Sequence, residues 1–269
     1  MSRHLLRVFC GIVVLFLFAA VDGACRAAVA GEEPLGLLVF DRPPYYMLHD
    51  GRPAGGFLLD IALGVFAQAG IPVTVQEMPP GRILATFESR EIKACAVGWL
   101  RTPEREAYAR FSLPLYENKA LGVVVASETA HELGPAPSLD RLLAAGLTWG
   151  MRRGFSYGEV FDAAFKKYPG QNTRLFSDSR LMVRLIAKHR LDAALVCPEE
   201  LSAQLVAEPE LGAAIRFLPI AEAPPGFARH IMCNASVPPA LMDRINAAIR
   251  AFRGTDRYQA LIRVQTGHE

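Results

Sequence analysis

The sequence carries none of the short motifs that usually mark a hydrolase, a nucleotide-dependent enzyme or a metalloprotein. It has no nucleophile elbow, no HExxH, no P-loop and no GxGxxG. No CxxC pair or Cys/His cluster has metal-ligand spacing, so neither a metal nor another cofactor is expected. There is no internal repeat and no low-complexity tract, which argues against a solenoid or a long disordered arm. Charge of one sign is not in excess either: 29 Lys and Arg stand against 27 Asp and Glu. Nothing here provides a global field for nucleic acid or anionic lipid. Apart from one run at the N-terminus, no stretch is long and apolar enough to span a bilayer.

That one run has a specific form. Arg3 and Arg7 make a positive n-region, Val8 to Val21 is an uncharged, mostly apolar run of 14 residues, and Ala28-Val29-Ala30 matches a small-residue cleavage site. Residues 1–30 therefore read as a cleavable secretory leader, and the product as a soluble periplasmic protein. The run is short for a membrane span, which needs about 20 residues, so an uncleaved anchor is the weaker alternative. A lipoprotein signal at Cys25 is weaker still, because Asp22 stands where an apolar residue is wanted. The leader carries Arg3, Arg7 and Arg26 against Asp22, so its removal leaves 26 basic and 26 acidic residues, a neutral chain. Cys10 and Cys25 leave with it. Cys95, Cys197 and Cys233 remain, an odd number, so at least one thiol is unpaired within the chain. They read as buried small hydrophobes; whether Cys95 and Cys233, both on expected strands, approach each other stays open.

The remaining chain of about 239 residues is long enough for one large domain or two small ones. It alternates short apolar β-type runs with amphipathic helical ones, the pattern of an α/β fold with mostly parallel sheets. LGLLVF reads as a first strand, followed by a polar, proline-rich loop through Gly55. FLLDIALGVFAQAG reads as a helix with Gly70 as its C-cap, IPVTVQEM as a strand, RILATFESRE as a short helix and IKACAVGWL as a third strand. RTPEREAYARFSLPLYENK reads as a loop. ALGVVVAS, LTWGM, LDAALVC and RHIMCNAS read as further strands. EVFDAAFKKY, SRLMVRLIAKH, PPALMDRINAAIRAF and DRYQALIRVQ read as helices, with Pro238-Pro239 opening the third of these.

The order of segments is similar to the periplasmic solute-binding proteins of family 3. A strand is followed by PPY, DG, GF and an Asp, then by GWLRTPEREAYARFSLPLY and a β-branched strand, and later by RLDAAL and LMDRINAAIRAF. The resemblance covers essentially the whole chain after the leader. It implies the two-lobed periplasmic binding protein type II fold, each lobe a mostly parallel sheet flanked by helices, with the ligand cleft between them. Lobe 1 would comprise residues 31–120 and 230–269, and lobe 2 residues 121–229. It implies a monomer that captures an amino acid or related small polar, carboxylate-bearing solute and delivers it to the permease subunits of an ABC transporter.

The same resemblance assigns Arg105, in TPER, to the ligand's carboxylate, a role that suits a planar, always-charged, bidentate donor. Ser156, in the GFSYG segment that opens a helix, is the second carboxylate contact. Tyr45 and Tyr46 are candidates for stacking on the ligand. Trp99 follows the third strand at its C-terminal edge, where α/β folds bind ligands, and Arg82 opens the short helix beside it. Two departures stand out. Gly98-Trp99-Leu100-Arg101 replaces the small hydroxyl residues that precede the motif in amino-acid binders. Cys197 falls where such binders place an Asp for the ligand's ammonium, leaving Glu199 as the nearest substitute. Two other functions fit the scaffold: a dehydratase using Glu199 or Glu200 as an acid of raised pKa, and a sensory module docking on a membrane partner.

Overall fold

The computed structural model describes residues 33–90, 92–168 and 172–266. The leader, read over residues 1–30, lies outside the described residues. The chain enters on β1 (Leu35–Val39), then makes a small hairpin of β2 (Met47–His49) and β3 (Arg52–Gly55). The hairpin lies within the segment read as an irregular loop. Asp50-Gly51 forms its two-residue turn, both residues having positive φ, which is the known preference of Asp-Gly. Helix α1 (Phe57–Gln68) buries Phe57, Leu58, Ile61, Val65 and Phe66, and Gly70 follows its end at φ +65°, as its position in the sequence implies. Next come β4 (Val73–Glu77), α2 (Pro80–Ser89), β5 (Ala94–Trp99) and the four-residue α3 (Pro103–Glu106).

One segment corrects the sequence reading. What reads as a loop after TPER is β6 (Ala109–Lys119), an eleven-residue strand. Pro114 hid it, since proline cannot donate to a ladder. Here it is tolerated because β6 is the edge of its sheet, and the register with its one neighbour shifts beside Pro114.

The chain then passes through Ala120-Leu121 into β7 (Gly122–Ala126) and a second α/β series. This series contains α4 (Ser127–Leu133), α5 (Leu139–Ala144), β8 (Trp149–Arg152), α6 (Glu159–Lys167) and β9 (Thr173–Phe176). It continues with α7 (Ser179–Ala187), β10 (Ala193–Val196), α8 (Pro198–Ala207), α9 (Leu211–Ala214) and β11 (Ile215–Pro219). β12 (Gly226–Asn234) returns to the first sheet, and α10 (Pro239–Arg253) and α11 (Asp256–Thr266) close the chain.

Two five-stranded sheets result, ordered β4-β1-β5-β12-β6 and β11-β7-β10-β8-β9. In the first, only β12 opposes the other four strands; in the second, only β7 does. The expected two-lobed, mostly parallel α/β architecture is therefore present. The first sheet has a core of its own, with Leu37, Leu38, Ile61, Phe66, Phe87 and Ile245 fully buried. The second sheet is covered on both faces, by a cluster around Trp149, Phe161 and Leu142 and by another around Met182, Val183 and Ile186.

Cys95 and Cys233 are register partners on the antiparallel pair β5–β12 and are joined by a disulfide. Reading them as isolated small hydrophobes was wrong for this pair: they lie 138 residues apart, so only strand pairing brings them together. Cys197 is the free, buried cysteine. No helix among the described residues is long and apolar enough to cross a membrane.

Candidate functional site

The segments that leave the C-terminal ends of parallel strands in both sheets meet face to face, the usual position of an α/β ligand site. Arg42, after β1, reaches across to Glu200 in the first turn of α8. Its Nε donates to Oε1 at 3.0 Å and its Nη2 to Oε2 at 2.8 Å, a bidentate pair buried to single-digit exposure at both ends. Glu200 also accepts from Ser179 Oγ at 3.0 Å and lies 3.5 Å from Arg152 Nη1. At the rim, Arg180 pairs with Asp41 at 2.7 Å. On the other side of the cleft, Glu199 Oε1 accepts from Tyr116 Oη and from the Lys119 backbone N–H, both at 2.8 Å. These contacts link the first sheet's loops and β6 to the second sheet's helices, so the lobes are held together.

Between the lobes lie two adjoining cavities of about 20 Å³ each, room for about one water apiece. The first is lined by Tyr46, Trp99, Arg105 and Ser156, four of the residues singled out by sequence, together with Arg42 and Phe155. Thr102 caps the turn that carries Arg105 by accepting from its backbone N–H, and Pro103 starts that turn at a position where no N–H is needed. The Arg105 guanidinium donates to the Leu100 carbonyl at 3.0 Å, reaches the Gly154 carbonyl at 3.5 Å, and lies 5.0 Å from the Trp99 ring centre. Arg105 also borders an outer groove of about 560 Å³ that shares Leu100, Arg105 and Ser156 with this cavity. Gly98 must be glycine: its φ is +77°, and a Cβ would come within 2.8 Å of Tyr46 Oη.

The other sequence-selected residues sit elsewhere. Tyr45 lies behind the wall, packed on Tyr46, Phe57 and Tyr116 with the Arg42 guanidinium 4.7 Å over its ring. Arg82 is exposed on α2 and lines neither cavity. Glu199 is buried against β6 and lines neither cavity. The Ser156 hydroxyl donates to Asp162 and accepts from the Gly158 N–H, so it shapes the start of α6.

The second cavity is lined by residues that the sequence reading passed over or gave other roles: Arg42, Arg152, Ser179, Cys197, Glu200 and Arg229. Arg42, Arg152 and Cys197 each lie at or just beyond a strand's C-terminal end, so the strand-edge rule could have flagged them. Arg229 could not be found this way, because it lies within antiparallel β12.

Burial works against every charge here, and the partners decide the outcome. Burial pushes the Glu200 carboxyl up, but Arg42, Arg152 and Ser179 outweigh it and hold the group at about 2. Arg105 and Arg152 are lowered from the ordinary arginine value, first by burial. Burial, then Glu200, push the Cys197 thiol up to about 11, so it is neutral at physiological pH. Glu200 is thus held below the ordinary carboxylate range, the opposite direction from the one a general acid at this position needs. Glu199 is engaged by Tyr116 and β6 rather than facing a cavity.

The family model for the bacterial extracellular solute-binding proteins, family 3, matches residues 39–264. Solved structures of the same fold include an ancestral arginine-binding protein bound to arginine (TM-score 0.71, 18% identity, 87% of this chain and 98% of that one). The arginine-, lysine-, histidine-binding protein ArtJ from the thermophilic bacterium Geobacillus stearothermophilus is another (0.72, 16%, 88% and 96%). A third is a histidine kinase sensor domain similar to periplasmic binding proteins (0.72, 16%, 88% and 97%). No curated protein matches the chain.

Proposed function

The chain belongs to the bacterial extracellular solute-binding proteins of family 3, and from that premise we propose that it is a periplasmic receptor. It is exported by the leader at residues 1–30, captures a small carboxylate-bearing solute between its lobes, and hands it to the permease of an ABC transporter. We take the lobes as residues 31–120 with 226–269, and 121–225; the sequence reading has the return at 229–230, four residues into β12, which pairs within the first sheet from Gly226. The observation that carries this reading is the cavity walled by both lobes, into which Arg105 presents a buried guanidinium over Trp99. Each cavity is far too small for a solute as large as an amino acid, so loading requires the lobes to part about the crossings at 120–121 and 220–225 and to close again. Arg105, Ser156, Trp99 and Tyr46 are the proposed contacts in the first cavity.

The test is a thermal-shift screen of amino acids, amines and carboxylates. A ligand that binds the folded state alone raises the melting temperature in proportion to ln(1 + [L]/Kd), and Arg105→Ala should abolish the shift. A screen without any shift, or a shift indifferent to Arg105→Ala, refutes the reading. The fold shared with a histidine kinase sensor domain supports a second outcome, delivery of the same signal to a membrane sensor. Cross-linking in intact cells separates the two by whether a permease subunit or a kinase is captured.

A further inference from the structure

The cleft is unevenly charged. Among the described residues four guanidiniums line its two cavities, those of Arg42, Arg105, Arg152 and Arg229, and the only carboxylate that lines either is Glu200. Glu200 is already saturated by Arg42, Ser179 and Arg152. The nearby Glu199 is held by Tyr116 and Lys119 on the side of β6. Among the described residues no carboxylate lies within ion-pair distance of Arg105 or Arg229. Arg229 has only neutral partners, the Asn118 Oδ1 at 2.7 Å and the Cys197 Sγ at 3.8 Å. Glu104 and Asp162 reach Arg105 only through space. Among the described residues Arg152, 6% exposed, shares Glu200 with Arg42 through its Nη1 at 3.5 Å and donates from Nη2 to the Ser177 carbonyl at 3.1 Å, while its Nε and the buried indole N–H of Trp99 have no hydrogen-bond acceptor. The Arg152 Nε and the Trp99 N–H are donors without acceptors, lining cavities with room for about one water apiece. A buried charge with neutral partners, as at Arg229, is costly until an anion arrives.

The opposite requirement is unmet. A ligand ammonium needs an anionic partner when desolvated. Cys197 stands where that acid would be, and its neighbours are Arg42, Arg229 and Asn118. An ammonium would meet a neutral thiol and two guanidiniums. Arg105 lines only the first cavity and Arg152 only the second, while Arg42 and Arg229 line both. The positive charge is thus spread from one end of the cleft to the other.

We propose, resting on the solute-capture reading above, that the ligand is a small dicarboxylate without an amino group, one carboxylate taken by Arg105 and the other by Arg229 with Arg152. The second carboxylate would also give the Arg152 Nε an acceptor and share the load now carried by Glu200 alone. An α-amino acid, and arginine above all, would add a positive charge to a cleft that already has too many.

The experiment is calorimetry and thermal shift on the purified protein with matched pairs. Succinate and glutarate are compared with L-aspartate and L-glutamate, the same acids carrying an ammonium, and with L-arginine and L-glutamine. Succinate or glutarate should bind at one site, with the amino counterparts at least about tenfold weaker, a difference of about 1.4 kcal/mol. Arg105→Gln and Arg229→Gln should each weaken dicarboxylate binding by at least about tenfold, as loss of a charge-assisted contact does, while the ligand-free melting temperature holds. Cys197→Asp is the independent check, since an acid beside Arg42 and Arg229 should weaken succinate and improve aspartate. If aspartate, glutamine or arginine binds as well as the dicarboxylates, the inference falls and solute capture stands. If no member of any pair binds and the wider screen is also silent, both fall.

Discussion

Replacing Glu200 by Gln removes one charge from the pair that ties Arg42, at the end of β1, to α8. The size of the effect can be worked from the carboxyl itself. It is held at about 2 against an ordinary 4.5, and at about 1.4 kcal/mol for each tenfold in proton affinity this amounts to about 3 kcal/mol in favour of the folded, closed state. The cost of breaking a buried pair from one side, about 3–5 kcal/mol, agrees. For a chain of this size the melting temperature of Glu200→Gln should fall by about 6–12 °C at pH 7. The sign of the pH dependence follows from the direction of the shift. The folded-state value is depressed, so the contribution is complete above about pH 4.5 and is lost as pH falls through about 2. Urea unfolding of both proteins between pH 7 and pH 2 should therefore show a constant gap down to about 4.5, narrowing below it. A gap under about 1 kcal/mol at pH 7 would mean that Arg42 and Glu200 are hydrated and the lobes stand apart. A gap that ignores pH would mean that the carboxylate's charge is not what holds the pair.

Reducing the Cys95–Cys233 bond, or replacing both residues by Ser, should cost about 2–5 kcal/mol in urea unfolding, because the bond closes a long loop in the unfolded chain. Thiol titration of the leader-free protein should find one reactive group in denaturant and none in the native state, since Cys197 is buried and its thiol is pushed up to about 11. Gly98→Ala should cost about 1–3 kcal/mol by melting and displace Tyr46 from the cavity wall, because φ is +77° there and the new Cβ would press on Tyr46 Oη. Tyr116→Phe should cost about 1.5–3 kcal/mol, because Glu199 Oε1 loses a donor while its Oε2 already lacks one. Restored stability in Tyr116→Phe/Glu199→Gln would confirm that the carboxylate is the reason.

How much of this was legible in the sequence differs from fold to site. The α/β architecture was legible because strand and helix periodicities are local. LGLLV, IKACAVGW and the FLLDIALGVFAQ helix each carry their own signal, and Gly70 and Pro238-Pro239 mark helix ends by chemistry that needs no distant partner. β6 was misread because a strand interrupted by Pro114 is acceptable only at a sheet edge, and edge position is a property of the sheet. Arg105, Trp99, Ser156 and Tyr46 were chosen through motif order and strand-edge position, and all four line one cavity. Arg82 and Glu199 were chosen by nearness in sequence to the right elements, but side-chain direction sends one to solvent and the other to β6.

By itself the sequence determined the alternation of elements and the near balance of charge, 29 basic against 27 acidic residues. What only the tertiary structure decided is which charges answer one another. Arg42 meets Glu200 across 158 residues and Cys95 meets Cys233 across 138, while Arg105 and Arg229 meet no carboxylate at all among the described residues. Hydrophobic periodicity is written along a few neighbouring residues, but electrostatic balance in a cleft depends on segments brought together from both lobes. A chain with almost balanced charge can therefore fold around a cleft lined by four guanidiniums.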